Sequence, residues 1–515
     1  MPKGRYRAPQ LSLGNYEVTA EAAGFQTALR RGITLTVGRE AVVDFTLQVG
    51  AVTESITVTE EAPLVETTNA TVASLVNERA MRDLPLLGRS IADLTAIQPG
   101  VVTNLGTDAN VYAGGAKISI NGARGTQSLY LLDGLDITPP YTNSTPQSVM
   151  GELLGVDTIR EFSVLTNNYG AQYGRAIGGV INAVTRSGTN ELHGSAFEFL
   201  RNSAFNAKNF FDPGNEPIPP FKRNQFGATA GGPIAKDSTF FFLSYEGLRS
   251  RLGLSDVAIV FTQEAKERGI LRDAAGNITS VVQVNPDIVP LLNLIPLPNG
   301  PSLGGGLAEY RGFRTQEGRE DYGMGRLDRK LGDKDSLFGR FTIDNSTLSA
   351  PEMQTIPGGS IFSDDGGYRF LSLVHTRVVS SSTLNTLSVG LARNNIGEQQ
   401  IYAKEGLDPR LSAVPGDPLL GITSTGMGAL KFPTHFGGAY LGTLANPPMR
   451  FVDNTFDVAD TLIRTLGRHS LSLGFNIIKR YQMNEFLSTY VSGSISFPSE
   501  RDILEGRPSR LLKNS

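Results

Sequence analysis

The sequence predicts a mainly β chain: part of a transmembrane β-barrel, led by an α+β domain and a truncated N-terminal β-sandwich module. Three observations carry this. After residue 190, about nine stretches of roughly 9–13 residues alternate apolar and polar side chains, the length a tilted membrane strand needs. The connections between them alternate strictly between short and long. Glycine is abundant, with 58 residues, while hydrophobic residues reach 40% and charged ones 19%, a profile of strands and turns rather than helices.

The first segment, 1–50, contains "NYEVTAEAAGF" and "GITLTVGREAVVDFTLQVG", alternating stretches punctuated by Gly14, Gly24, Gly32 and Gly38. Such strands make part of a small sandwich. Segment 51–68 holds one short alternating stretch, Glu54, Ser55, Ile56, Thr57, Val58 and Thr59, followed by acidic residues and Pro63. It reads as a linker or as a strand offered to a partner's sheet edge.

Segment 69–190 is mixed. "ATVASLVNERAMRDLP" has helical spacing at Val72, Leu75, Val76 and Met81 and stops at Pro85; "SIADLTAIQPG" predicts a second helix, with Ser90 as its N-cap. "KISINGARG", "SLYLLDGLDI" and "IREFSVLT" read as strands, turning at Asn121-Gly122 and Asp133-Gly134. The glycines of "YGAQYGRAIGGVINAVT", at 170, 174, 178 and 179, predict positive φ and close backbone approach.

The strands expected in 191–515 lie near 191–201, 223–232, 238–249, 321–331, 335–345, 368–379, 383–394, 452–464 and 468–480. Leu471, Leu473, Phe475 and Ile477 share one face of the last, and Ser470, Ser472, Gly474 and Asn476 the other. Short links (233–237, "GDK", "SSS", "LGR") alternate with long ones (202–222, 250–320, 346–367, 395–451) that are rich in Pro, Gly, Asn and aromatics and read as exposed loops. Membrane barrels have tight turns on one side and freely growing loops on the other, whereas a soluble sandwich array has no reason to keep its long loops at one end. The chain has no Trp, so its 26 Phe and 15 Tyr must supply any aromatic girdle.

Other classes find little support. The net charge of −3 argues against a nucleic-acid partner. Zero Cys excludes thiolate chemistry and Cys-bound zinc, and four scattered His show no metal-ligand spacing. No phosphate-binding loop or dinucleotide fingerprint occurs; "GRSIA" at 88–92 lacks the final Gly of a nucleophile elbow. The chain reads as a non-enzyme without cofactor or metal. Its best apolar run, "IVPLLNLIPL" at 288–297, is far short of a membrane helix and is broken by Pro290 and Pro296.

Four stretches in order resemble TonB-dependent outer-membrane receptors of the Oar-like branch, which carry a carboxypeptidase-regulatory-like domain: "GNYEVTAEAAGF" (14–25), "LPLLGRSIADLTAIQPGV" (84–101), "ISINGARGTQSLYLLDGLDI" (118–137) and "VDTIREFSVLTNNYGAQYGRAIGGVINAVTRSGTNELHGS" (156–195). The resemblance implies that 69–190 is a plug held inside the barrel of 191–515. It implies that Glu54–Thr59 is the TonB box, which pairs with periplasmic TonB, and that an extracellular ligand binds outer loops. Asn121, Gly122, Arg124, Gly125, Asp133, Gly134, Gly170, Gly174, Gly178 and Gly179 are then structural residues of the plug. Arg124, Arg160, Glu161 and Arg175 either seat the plug on lumen residues or are surface charge. Tyr112, Tyr141 and Asn143, in polar plug loops, are candidate ligand contacts. The implied location is the outer membrane of a Gram-negative cell. A barrel of 22 strands in this family, against about nine here, leads to the expectation that the chain is a fragment of a longer receptor. An outer-membrane adhesion protein and a secreted β-sandwich binding protein are the rival readings.

Overall fold

The computed structural model describes residues 14–36, 41–50, 55–58, 72–77, 91–104, 117–139, 145–208, 217–351, 360–402, 421–424, 439–440, 449–486 and 494–512, apart from 147, 152 and 468, together with residues 6, 8 and 81.

At the N-terminus, β1 (Gly14–Ala20), β2 (Thr27–Leu35) and β3 (Ser55–Val58) form one sheet in that order. β1 and β2 are antiparallel, and the strand expected at 54–59 lies parallel to β2, with Ala28 opposite Ile56. Ile33 and Val43 are buried beneath this sheet, with Tyr16, Val18, Ala41 and Phe45 packed on them.

The α+β unit contains β4 (Val72–Asn77), a helix over Ile91–Ala96, β5 (Val101–Asn104), β6 (Lys117–Ile120), β7 (Leu129–Leu132), β8 (Leu135–Asp136), β9 (Ile159–Asn167) and β10 (Val180–Thr185). Five strands pair in the order β4-β9-β10-β7-β8. β4 corrects the expectation of a helix over 70–85. Val76 is buried and Leu75 exposed, the two-residue period of a strand, and β4 pairs antiparallel with β9. The helix expected next is present, while its proposed cap Ser90 lies outside the described residues. Both dipeptide turns form as expected, with φ of 50° and 78° at Asn121-Gly122 and of 51° and 81° at Asp133-Gly134. Two left-handed residues in succession match the twist of the flanking strands.

All nine long strands expected after residue 190 are present: β11 (His193–Asn202), β12 (Phe221–Ala235), β13 (Thr239–Phe261), then, beyond the short β14 (Ile270–Arg272), β15 (Ile278–Val281) and β16 (Ser302–Gly304), β17 (Leu307–Leu331), β18 (Asp335–Pro351), β19 (Ser360–Ser380) and β20 (Thr383–Tyr402). After β21 (Gly421–Ser424) and β22 (Ala439–Tyr440) come β23 (Met449–Leu466) and β24 (His469–Phe486), and finally β25 (Ser494–Ser496) and β26 (Arg510–Leu512). The nine form one antiparallel wall in chain order, with β11 and β24 at its two edges. Outward positions are apolar and exposed, among them Leu243, Phe341, Leu391 and Phe456, while inward neighbours such as Glu246, Arg340 and Asp457 are buried against the α+β unit.

Several strands exceed the expected length. β13 and β17 pair over 23 residues and run well past the ~10 residues that cross a bilayer. Their far ends carry a folded cap where exposed loop was expected. Phe261, Leu291, Leu292 and Leu307 share a core with Phe497, Ile503 and Leu504 from beyond β24. Thr262 caps a helix over Gln263–Arg268, which ends on Gly269 at φ 65°. The apolar run at 288–297 supplies a second helix, Val289–Leu294, with Pro in its first turn, where the missing N–H costs nothing. β21 pairs with β25, so the segment between β20 and β23 joins the segment after β24.

Candidate plug–wall interface

The α+β unit packs on the concave, inward face of the wall. Ile118, Tyr130, Leu132, Phe162 and Ile181 share one buried cluster with Tyr368, Phe370 and Ala392 of the wall. Leu154 inserts among Phe242, Leu248, Tyr322 and Met324. On this apolar contact the fold sets three polar ones.

The first is the β7–β8 turn. Asp133 sits at its left-handed corner, where its carboxylate accepts from the Thr185 amide (2.9 Å) and the Thr185 hydroxyl (2.8 Å). The same carboxylate faces two wall guanidiniums, Arg340 at 3.2 Å and Arg326 at 3.6 Å. Arg340 is fully buried, and Arg326 also donates to the Thr185 hydroxyl at 2.8 Å. A buried cation of this kind persists only where an anion meets it.

The second is Asp136, one strand away. It accepts from Arg175 of the same unit at 2.5 Å and from Arg480 of β24 at 2.8 Å, and its other oxygen takes the Thr138 amide at 2.9 Å. The third is the loop 148–155, which lies on two wall carboxylates. Ser148 donates to Glu320 at 2.6 Å, the Leu154 amide to the same group at 3.3 Å, and the Gly155 amide to Glu246 at 3.0 Å. Gly155 has φ 96°, and a Cβ there would strike the Tyr322 ring.

Glycines on the wall receive the side chains of the unit. A Cβ at Gly318 would meet Met150, one at Gly366 would meet Val149, and one at Gly390 would meet Leu135. These three glycines give the α+β unit its room.

The expected structural residues divide. Asn121, Gly122, Asp133 and Gly134 hold turns, and Gly178 and Gly179 allow close approach, to Ala123 and Ser128 and to Ile120 respectively. None of Gly170, Gly174, Gly178 and Gly179 has positive φ, which corrects that expectation; Asn168 and Arg175 take the left-handed positions instead, at 52° and 63°. A Cβ at Gly174 would meet nothing and one at Gly170 only the Gln172 side chain, so neither glycine is required by packing. Gly125 opens a short 3-10 helix whose N-terminal Arg124 amide is satisfied by Gln127, and among the described residues Arg124 makes no ion pair with the wall. Arg175 does contribute, through Asp136. Glu161 is buried on β9. Tyr112, Tyr141 and Asn143 lie outside the described residues, as do Glu54 and Thr59. Sequence reasoning missed Asp136, Arg326, Arg480, Glu246 and Glu320. The available signal was a charged residue on the polar face of an otherwise well-alternating strand, as Arg340 is beside Phe341.

Family comparison agrees with this geometry. Residues 184–510 match the outer membrane beta barrel domain, residues 65–180 the TonB-dependent receptor plug domain, and residues 2–48 the carboxypeptidase regulatory-like domain. The chain belongs to the TonB-dependent receptors. Within them it is of the Oar-like type: it is 30% identical over 260 residues to the TonB-dependent transporter Oar of Myxococcus xanthus, a match covering 47% of this chain and 23% of that protein. The outer membrane transporter YddB of Escherichia coli shares the fold, with 15% identity and a TM-score of 0.52 over 83% of this chain and 50% of that one. The chain thus spans about half the length of that structure. As a member of this family it is an outer-membrane β-barrel protein, and the α+β unit is its plug.

Proposed function

We propose that the receptor to which this chain belongs takes up an extracellular ligand by an energy-coupled rearrangement of the plug. Segments 1–50, 51–68, 69–190 and 191–515 act as regulatory-like module, coupling segment, plug and wall. The observation that carries this reading is the seating of the plug on the wall through Asp133, Asp136 and loop 148–155, by bonds that can be broken and remade. Ser55–Val58 forms β3, the outermost strand of its sheet, so its second edge is the one to which a TonB strand adds. Main-chain bonds supply the affinity in that mode, and Pro removes a ladder donor. Ile56→Pro therefore weakens binding of the purified periplasmic domain of TonB by about tenfold or more, read as Kd. Unchanged binding by that variant would reject the coupling segment and favour the non-transporting adhesion reading. Tyr112, Tyr141 and Asn143 stay as proposed ligand contacts of the outer plug loops.

A further inference from the structure

The inward face of β18, β19, β20 and β23 changes character along the strands. Toward the short turns it meets the plug through Phe370 and Ala392, and the inward arginines at that level, Arg326, Arg340 and Arg480, are taken up by Asp133 and Asp136. Toward the long loops strand pairing lays down two acidic rows. One runs Asp344, Tyr368, Asn394 and Asp453, and the other sets Asp364 directly opposite Glu398. The row between them reads Ser346, Gly366, Ile396 and Phe451, so this part of the face carries no inward Lys or Arg.

These acids do not serve the fold. Asp364, Asn394 and Asp453 are 4%, 6% and 5% exposed, and the Oδ1 atom of each has no hydrogen-bond partner among the described residues. No ion pair holds Asp364 or Asp453 among those residues. A buried carboxylate without a cation costs stability, and like charges directly opposite on neighbouring strands cost more. Glu246 and Glu320 differ, because plug amides and the Ser148 hydroxyl satisfy them. Local rules of this kind are broken where a site has work other than stability.

We propose that the two rows line the path of the substrate and that the substrate is an organic polycation bearing amine or guanidinium groups. The inference rests on the uptake reading, in which the plug moves off the wall and uncovers these rows. The atoms left without partners are all acceptor oxygens, which N–H donors of a cation satisfy with charge assistance. Tyr368 stands between Asp344 and Asn394, and a tyrosine face also attracts a cation. A metal ion fits less well, since among the described residues no three acidic or histidine side chains are placed to hold one. The rows lie four residues apart along β19 and β20, about 13 Å, so one elongated polycation meets both.

The test titrates the purified chain in neutral detergent with spermine, with fully acetylated spermine and with citrate, both as it stands and with Asp133→Asn, which loosens the plug seat. Spermine binds and the other two do not, and added salt weakens the binding. Asp364→Asn with Asp453→Asn lowers spermine affinity about tenfold while raising the ligand-free melting temperature, a combination that a structural role for the two acids does not give. Asp333→Asn, on a short turn, changes neither. Absence of spermine binding in both backgrounds, equal binding of acetylated spermine or citrate, or full affinity in the neutralised variant would overturn the proposal. The uptake reading fails separately: Ile56→Pro leaves spermine affinity unchanged and stops spermine uptake by cells that carry the whole receptor, so uptake that persists in that variant sinks energy coupling and not the charge of the path.

Discussion

Asp133 does three things at once, and each depends on a different property of the residue. Its short side chain tolerates the left-handed corner, its oxygens satisfy Thr185, and its charge meets Arg326 and Arg340. Asp133→Ala leaves a fully buried guanidinium without its anion and costs about 3–5 kcal/mol of plug seating, measurable as earlier proteolysis of the plug or a lower melting temperature. Asp133→Asn keeps the turn and loses only the charge, so it separates the two contributions. Tyr130 shows the opposite case. Its ring is buried and its hydroxyl has no partner among the described residues, and burial pushes its ionisation above the usual tyrosine range. Removing an unpaired buried hydroxyl should help: Tyr130→Phe leaves stability unchanged or raises it by about 1 kcal/mol in a thermal melt. Neither residue's environment was legible in the sequence. The Asp-Gly turn was, because φ > 0 restricts residue choice locally, whereas the partners of Asp133 come from strands some 200 residues away.

At the scale of elements, alternation proved a reliable guide where it was long. The wall strands repeat it for ten residues or more, and all nine were found. β4 is six residues long, and its Val72, Leu75 and Val76 fit both a helical and an extended period; pairing with β9 decides for the strand. The cap was illegible for another reason. Its core joins residues 258–307 to residues 497–504, and no local period encodes a contact of that range. Leu504→Asp places a charge in that core and should free the cap by about 3 kcal/mol or more, with protease cutting inside 262–306 while the wall stays intact. Acid acts on the same element. A hydrogen bond from Arg272 holds Glu264, and hydrogen bonds from Asn277 hold Asp273, below the usual carboxylate range. Groups depressed in this way stabilise the fold above their ordinary values and lose that contribution as pH falls through the folded ones. The cap therefore loosens only in acid below about pH 4, measurable by hydrogen exchange in 262–306.

At the scale of the molecule, the wall has one face for lipid and one for the plug, and a one-residue shift of any strand would exchange them. Leu391 and its neighbour Gly390 show the two faces side by side: the leucine is outward, and the glycine lies under Leu135 of the plug. Leu391→Arg should cost about 2–4 kcal/mol for folding into bilayers, with a smaller effect in detergent, measured by denaturant titration in liposomes. The short–long rhythm of the connections made the barrel legible, since only the bilayer imposes that asymmetry. Which lumen residues touch the plug was not legible, because it depends on how two separately encoded domains dock.

Gly318, Gly366 and Gly390 give that docking a further meaning. Met150, Val149 and Leu135 fit them as teeth fit a rack, one tooth to each notch. A chimera that carried a foreign plug in this wall would have to supply small residues or knobs at the same three stations. Heredity should hold each pair together, and recombination between the two domains should be viable only where all three still mesh.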